Sequence, residues 1–129
     1  MTIETNKVIA RRFFDEIYNQ RNLAVIDELL APQVVNHNSG VSGRESARKL
    51  IGAVIARFLD VHVTFEDLIA EGDKVVIRGT DHFTDPLTRK MLDLTWIEIV
   101  CFQGGRIAEA WYEADMSSYA GLIPDKGAG

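Results

Sequence analysis

The stretch from Asp93 to Asp115, DLTWIEIVCFQGGRIAEAWYEAD, limits what this chain can become more than any other. It reads as two long strands joined by a tight Gln103-Gly104-Gly105 turn. In the first strand Trp96, Glu98, Val100 and Phe102 alternate with Thr95, Ile97, Ile99 and Cys101. Both sets are mostly apolar, so neither face is expected to look freely at water. Glu98 is the exception on its face. A buried carboxylate must be hydrogen-bonded, paired, or kept neutral by a raised pKa, so Glu98 is the leading candidate for chemistry. In the second strand Ala108, Ala110, Tyr112 and Ala114 share one face, and Ile107, Glu109, Trp111 and Glu113 the other. With Phe102 placed opposite Arg106, Glu98 falls across from Ala110 and Trp96 across from Tyr112. The Tyr112 phenol is then diagonal to Glu98 and within its reach. A slip by one residue would send these groups to opposite faces.

Upstream, Glu4 to Gln20 has an apolar stripe at Val8, Ile9, Phe13, Phe14, Ile17 and Tyr18, which predicts an amphipathic helix. Asn22 is placed to cap a second helix, Leu23 to Leu30, which Pro32 stops. Gln33 to Asn38 is a short extended segment. Ser42 to Glu45 has capping-box spacing and opens a third helix through about Phe58. Alternation then predicts strands from Val61 towards Ile69 and from Lys74 to Phe83, with a turn at Glu71-Gly72-Asp73 and a loop from Thr84 to Thr88. Helices first and a long meander afterwards is an α+β pattern. We expect one domain over residues 1–129, ordered from about 4 to 122, with a small polar tail at 125–129. A curved antiparallel or mixed sheet would wrap around three N-terminal helices in a cone and enclose a cavity.

Composition excludes several classes. The net charge is −5 and no Lys/Arg cluster offsets it, which argues against nucleic acid or an anionic membrane as partner. No apolar run approaches the ~18 residues of a membrane span. The N-terminus lacks a signal-peptide pattern, and the lone Cys101 fits a reducing cytoplasm. His37, His62 and His82 have no ligand-like spacing, so no metal is expected. Cys101 is predicted on the face away from Glu98, and no Ser sits in an elbow motif, so nucleophilic catalysis has no signal.

Several residues then suggest a family. Phe14 and Asn19 precede Leu29 and Pro32; Asn36 sits in VVNHN, and Gly43 comes before the third helix. The run VTFEDLIAEGDKVVIRGT follows, and Phe102 to Trp111 (FQGGRIAEAW) is similar to an aromatic–x–G–K/R–I–x–E–H–W hairpin. From Asn6 to Leu122 the chain resembles the SnoaL-like polyketide cyclases of the nuclear-transport-factor-2-like superfamily. The resemblance implies a cone-shaped α+β barrel, a homodimer formed through the outer sheet face, and cofactor-free aldol ring closure. It also implies an aspartate acid/base on the last strand and an inward histidine beside it; those positions are Tyr112 and Ala110 here. Glu98 stands where one such cyclase has His and the related ketosteroid isomerases have a carboxylic acid. The isomerases' base falls near Asn38.

The leading expectation is a cofactor-independent enzyme performing proton transfer and enolate stabilisation, as in cyclisation or isomerisation, on a small, mostly apolar carbonyl compound. Glu98 would be the acid/base, Tyr112 the oxyanion donor and Asn36 an orienting amide. Phe14, Tyr18, Trp96 and Ala110 would wall the pocket, with His82 as a further lining candidate and Asp115 at the rim. The alternatives are a non-catalytic ligand-binding or dimeric scaffold module of the same fold, and a hydrolase resembling limonene epoxide hydrolase, which needs an Asp–Arg–Asp set. For Glu98 the plainer reading is a buried acid satisfied by Tyr or by Trp96 Nε1–H. Asn36, His37 and Asn38 have a plainer reading too, as strand-end caps. Asp81 and His82 read as solvated loop-edge groups.

Overall fold

Helix α1 (Ile3–Arg12) starts at a hydroxyl cap, Thr2 Oγ1 accepting from the Thr5 backbone N–H at 3.0 Å. The computed structural model describes residues 2–115. The polar tail at 125–129 and the end of the expected ordered region therefore lie outside the described residues. Beyond Arg12 the helix continues, but as a π-helix over Phe13–Asn19, and Gln20 N–H reaches back five residues to Asp15 O at 3.0 Å. One regular helix to Gln20 was expected; the extent is close, the winding is not. The wider turns rotate Phe13, Phe14 and Ile17 inward together. In the regular part the buried positions are Asn6 and Ala10, while Val8 is 57% exposed.

A 3₁₀ turn at Leu23–Val25, capped by Asn22 Oδ1, leads into helix α2 (Ile26–Leu29). Strand β1 (Leu30–Asn36) follows at once, so Pro32, past the helix end as expected, lies inside a strand. It is tolerated because the pairing of β1 is irregular between Leu30 and Val35, where its missing N–H is not needed. Strand β2 (Val41–Ser42) takes up Ser42, so the expected capping box does not form. Gly43, at φ 94°, is the N-cap of helix α3 (Arg44–Arg57) without a side-chain cap.

The remaining strands are β3 (His62–Glu71), β4 (Lys74–Thr84), β5 (Met91–Gln103) and β6 (Arg106–Ala114). They form one mixed sheet in the order β2-β1-β6-β5-β4-β3, in which only β1 and β6 run parallel. The sheet curves over the three helices but stays open, with β2 and β3 at its edges, so it does not close into the barrel that the resemblance implied.

The β5–β6 register differs from the expected one, by one residue at the turn and by two beyond the bulge that follows. Gln103 pairs with Arg106, so the turn holds only Gly104 and Gly105, at φ 60° and 78°. That is the two-residue geometry whose twist suits a hairpin, and both positions need a residue at ease with positive φ. The pairing then jumps from Phe102↔Ile107 to Cys101↔Glu109, a bulge at Ala108. Past it Val100 faces Ala110, Glu98 faces Tyr112 and Trp96 faces Ala114. Past the bulge the shift is even, so Ala110, Tyr112 and Ala114 keep their predicted face. Before it the shift is one, and Ile107, expected on the outer face with Glu109 and Trp111, turns inward opposite Phe102 into the core and the cavity lining.

The core lies between the inner sheet face, with Val75, Ile77, Trp96 and Val100, and the helix residues Ala10, Phe13, Phe14, Ile17, Ile26 and Ile51. On the outer face of β5, Thr95 is exposed and Ile97 is 44% exposed in the single chain, against the expectation that both faces would be shielded. Among the described residues no helix is long and apolar enough to cross a membrane.

Candidate functional site

Between the helices and the inner face of β4, β5 and β6 lies a cavity of about 260 Å³. Alternation along β4 sends Val75, Ile77, Gly79, Asp81 and Phe83 inward, and along β5 it sends Leu94, Trp96, Glu98, Val100 and Phe102 inward. In register, Ile77 flanks Glu98 on one side and Tyr112 on the other. Trp96 has only Gly79 beside it on β4, and a Cβ there would stand 2.6 Å from Trp96 Cζ2. The absent side chain lets the indole lie across β4 and donate its Nε1–H to Asp81 Oδ1 at 2.8 Å. Phe14 packs on Trp96 with ring centroids 4.8 Å apart, Tyr18 stacks on Phe14 at 5.9 Å, and Tyr112 lies 5.8 Å from Trp96. The π-helical turns bring Phe14 and Tyr18 to this wall.

Two side-chain amides hold the rim. Asn19 Oδ1 accepts from Val63 N–H at 2.7 Å and its Nδ2 donates to Val63 O at 3.0 Å, which ties the end of the π-helix to edge strand β3. Asn38 does the same to Tyr112, with its Nδ2 on the carbonyl and its Oδ1 on the N–H, both at 2.5 Å. It continues the β1–β6 ladder one step past His37 N–H, which donates to Ala110 O at 2.9 Å. The Asn38 position is thus committed to backbone. Asn36 Oδ1 accepts from the N–H groups of Asn38 and Ser39 at 3.0 and 3.3 Å, an Asx turn that forms the mouth.

Burial dominates the electrostatics. Glu98 is pushed up to about 8, by desolvation first and by the Asp81 charge second. It lines the cavity, and no group among the described residues hydrogen-bonds it. Asp81 is raised to about 6 by burial, a shift opposed by the Trp96 hydrogen bond and the His82 charge. The Tyr18 and Tyr112 hydroxyls are driven upward, again mainly by burial, and stay protonated as donors. Near neutral pH the wall therefore presents a neutral carboxyl at Glu98 and a largely ionised one at Asp81. Two acids with separated proton affinities are what general acid–base chemistry requires.

A family model for the SnoaL-like domain matches residues 10–110. The chain belongs to the SnoaL-like domain family. A candidate SnoaL-like polyketide cyclase from Jannaschia sp. CCS1 is 22% identical over 97% of both chains, with a TM-score of 0.84. TsrD from Streptomyces laurentii is 26% identical over 100% of this chain and 99% of its own, with a TM-score of 0.80. IdmH, a candidate polyketide cyclase from Streptomyces antibioticus, is 23% identical over 85% of this chain and 91% of its own, at 0.76. No curated protein matches the chain significantly in sequence. At these identities the solved SnoaL-like structures establish the shared fold.

Within this SnoaL-like cavity, Glu98, Tyr112, Asn36, Phe14, Tyr18, Trp96 and Ala110 all contribute to the lining. Two expected pocket residues do not. His82 points to the outer face, its Nδ1 on Asp93 Oδ1 at 2.7 Å and its Nε2 on Thr64 Oγ1 at 3.0 Å. Asp115, just past β6, is exposed and off the lining. His82's neighbour takes the inward place: Asp81 lines the cavity, although the sequence reading put it at a solvated edge. A signal existed. Val75, Ile77 and Phe83 set the phase of β4, and an odd-numbered residue between them must share their face. The Trp96 indole satisfies Asp81 and not Glu98, so the plainer reading of Glu98 lacks its partner. Tyr112 is directly opposite Glu98, not diagonal to it.

Proposed function

We propose that this SnoaL-like protein is a cofactor-independent enzyme that moves a proton and stabilises an enolate on a small, mostly apolar carbonyl compound, in an aldol-type cyclisation or an isomerisation. The observation that carries it is Glu98: a carboxyl with no hydrogen-bond partner among the described residues, on an apolar cavity wall, with a proton affinity raised to about 8 and a phenol directly opposite. A group poised near the working pH exchanges protons most effectively. Glu98 serves as acid/base, Tyr112 donates to the developing oxyanion, and the Asn36 amide, whose oxygen is held by its turn, orients the substrate with its N–H₂ group. Asp81 fixes Trp96 and holds the Glu98 proton by its charge.

The outer face of β5 and β6 carries Ile97, 44% exposed, with half-buried Ile99 and its cross-strand neighbour Trp111, an apolar strip that supports a homodimer formed through that face. The half-buried free thiol of Cys101 fits a cytoplasmic setting. A ligand-binding module without turnover is the second reading; it is favoured by Tyr112 and Ala110, which replace the acid and the histidine that the family pattern places there. The epoxide-hydrolase reading gains no support, since no arginine is among the described lining residues.

Exchange of the α-protons of 2-tetralone in D₂O, followed by NMR, tests the proposal. Wild type should accelerate exchange, Glu98→Gln should lose at least about 100-fold of the acceleration, and Tyr112→Phe should lose less. Binding of the ketone with no accelerated exchange would establish the second reading instead.

A further inference from the structure

We propose that the ligand of this cavity carries a protonated amine, paired with the Asp81 carboxylate and flanked by the aromatic rings of Trp96, Tyr112 and Phe14. The inference takes the cavity as the ligand site from the function proposed above and adds the charge of what enters it.

The charge inventory comes first. Among the described residues the cavity lining includes two acids, Asp81 and Glu98, and no lysine, arginine or histidine. A buried carboxylate is normally paired with a cation. Asp81 has one neutral donor, the Trp96 N–H on Oδ1, and its Oδ2 has no hydrogen bond among the described residues. Histidine 82, next in the chain, is held on the opposite face by Asp93 and Thr64 and cannot supply the charge by contact. An ammonium group would bring the missing charge and up to three donors to a place where water is scarce. A ligand carboxylate placed there would face the Asp81 charge with no cation beside it and be rejected.

The second observation is independent of charge. The wall beside Asp81 is a run of aromatic rings in mutual contact, Phe14 on Trp96 at 4.8 Å and Trp96 near Tyr112 at 5.8 Å. Ring faces attract desolvated cations, and a carboxylate set beside such faces is the recognition chemistry of alkylammonium groups. Geometry then spaces the ligand. Asp81 pairs with Leu94, and Glu98 lies four residues further along β5, roughly 13 Å of strand before the side chains lean inward. An amine at Asp81 therefore leaves a carbonyl several bonds away, facing Glu98 and Tyr112. The substrate class is an apolar amino-carbonyl compound with a spacer.

Titration calorimetry on the full chain at pH 7 and low salt tests this with probes of one length: 4-phenylbutylamine, 4-phenylbutan-1-ol and 4-phenylbutanoate. The amine should bind at least about tenfold more tightly than the alcohol. The carboxylate should not bind, and the amine's advantage should shrink as salt is raised. Asp81→Asn keeps an oxygen for the Trp96 N–H and should bring the amine down to the alcohol's affinity. An amine that binds no better than the alcohol to wild type overturns the inference, as does a preference that survives Asp81→Asn. Because the wild-type comparison and its salt dependence stand alone, misfolding of the variant would not shelter the idea. Alcohol binding without amine preference sinks this inference only; failure of every probe to bind sinks the cavity as ligand site as well.

Discussion

Replacing Gly79 by alanine adds one methyl group at the point where the cavity wall is assembled. The new Cβ would lie 2.6 Å from Trp96 Cζ2 and 2.8 Å from Cη2. Ordinary carbon contacts are about 3.5–4.0 Å, so the indole must retreat by roughly 1 Å. It has little room to do so, being 2% exposed and packed against Phe14. A retreat of that size also stretches the 2.8 Å bond from Nε1 to Asp81 Oδ1 beyond hydrogen-bond range. Overpacking costs about 1–3 kcal/mol. A hydrogen bond to a charged partner is worth about 1.5–3 kcal/mol, and alanine returns about 0.4–1 kcal/mol by restricting the unfolded chain. The net expectation is a loss of about 2–5 kcal/mol. Gly79 is not among the positive-φ residues, so the cost arises from the ring and not from the backbone. Urea unfolding followed by circular dichroism measures it, and a double-mutant cycle identifies the cause. Trp96→Phe removes the clashing atoms, so the two changes together should cost at least about 1 kcal/mol less than their sum. A Gly79→Ala loss below about 0.5 kcal/mol, or simple additivity with Trp96→Phe, would refute the account of how this wall is built.

Stability should fall as pH rises from about 5 to 8. The folded chain holds protons on Glu98 and Asp81 that the unfolded chain releases, so the stability is full below the ordinary carboxylate values of 4.5 and 3.8 and is lost towards about 8 and about 6. At about 1.4 kcal/mol per tenfold change in proton affinity, Glu98 accounts for roughly 4–5 kcal/mol. Glu98→Gln should flatten the slope above pH 6, and urea midpoints that still track wild type would sink the assignment. Asn38→Leu removes both hydrogen bonds to the Tyr112 backbone and should cost about 1–3 kcal/mol in the same assay; an unchanged midpoint would show that the clamp carries no weight. His82→Ala breaks a largely exposed pair with Asp93, so the loss should stay within about 1 kcal/mol and ketone binding should be unaltered. Weakened binding would return His82 to the pocket.

The local patterns in the chain were enough for much of this. Period-two alternation assigned the inward residues of β5 and those of β6 beyond its bulge, and it singled out Glu98 and Tyr112, because a strand's faces depend only on counting until a bulge intervenes, as it does at Ile107. The order of helices and strands, and the glycine pair that closes the hairpin, were legible for the same local reason. Other features have no local cause. Nothing between Arg12 and Asn19 announces a π-helix; it forms where Phe13, Phe14, Ile17 and Tyr18 are drawn to one wall and Asn19 is tied to Val63. The register depended on a two-residue turn and a bulge at Ala108, which counting cannot see. Asp81 was obscured because the apolar run Val75-Val76-Ile77 blurs the phase of β4 until Phe83 restores it. Whether Glu98 keeps its acid unpartnered was a tertiary matter altogether. It follows from the gap at Gly79, through which the one nearby indole donor reaches Asp81 instead, leaving two acids of different proton affinity on an apolar wall.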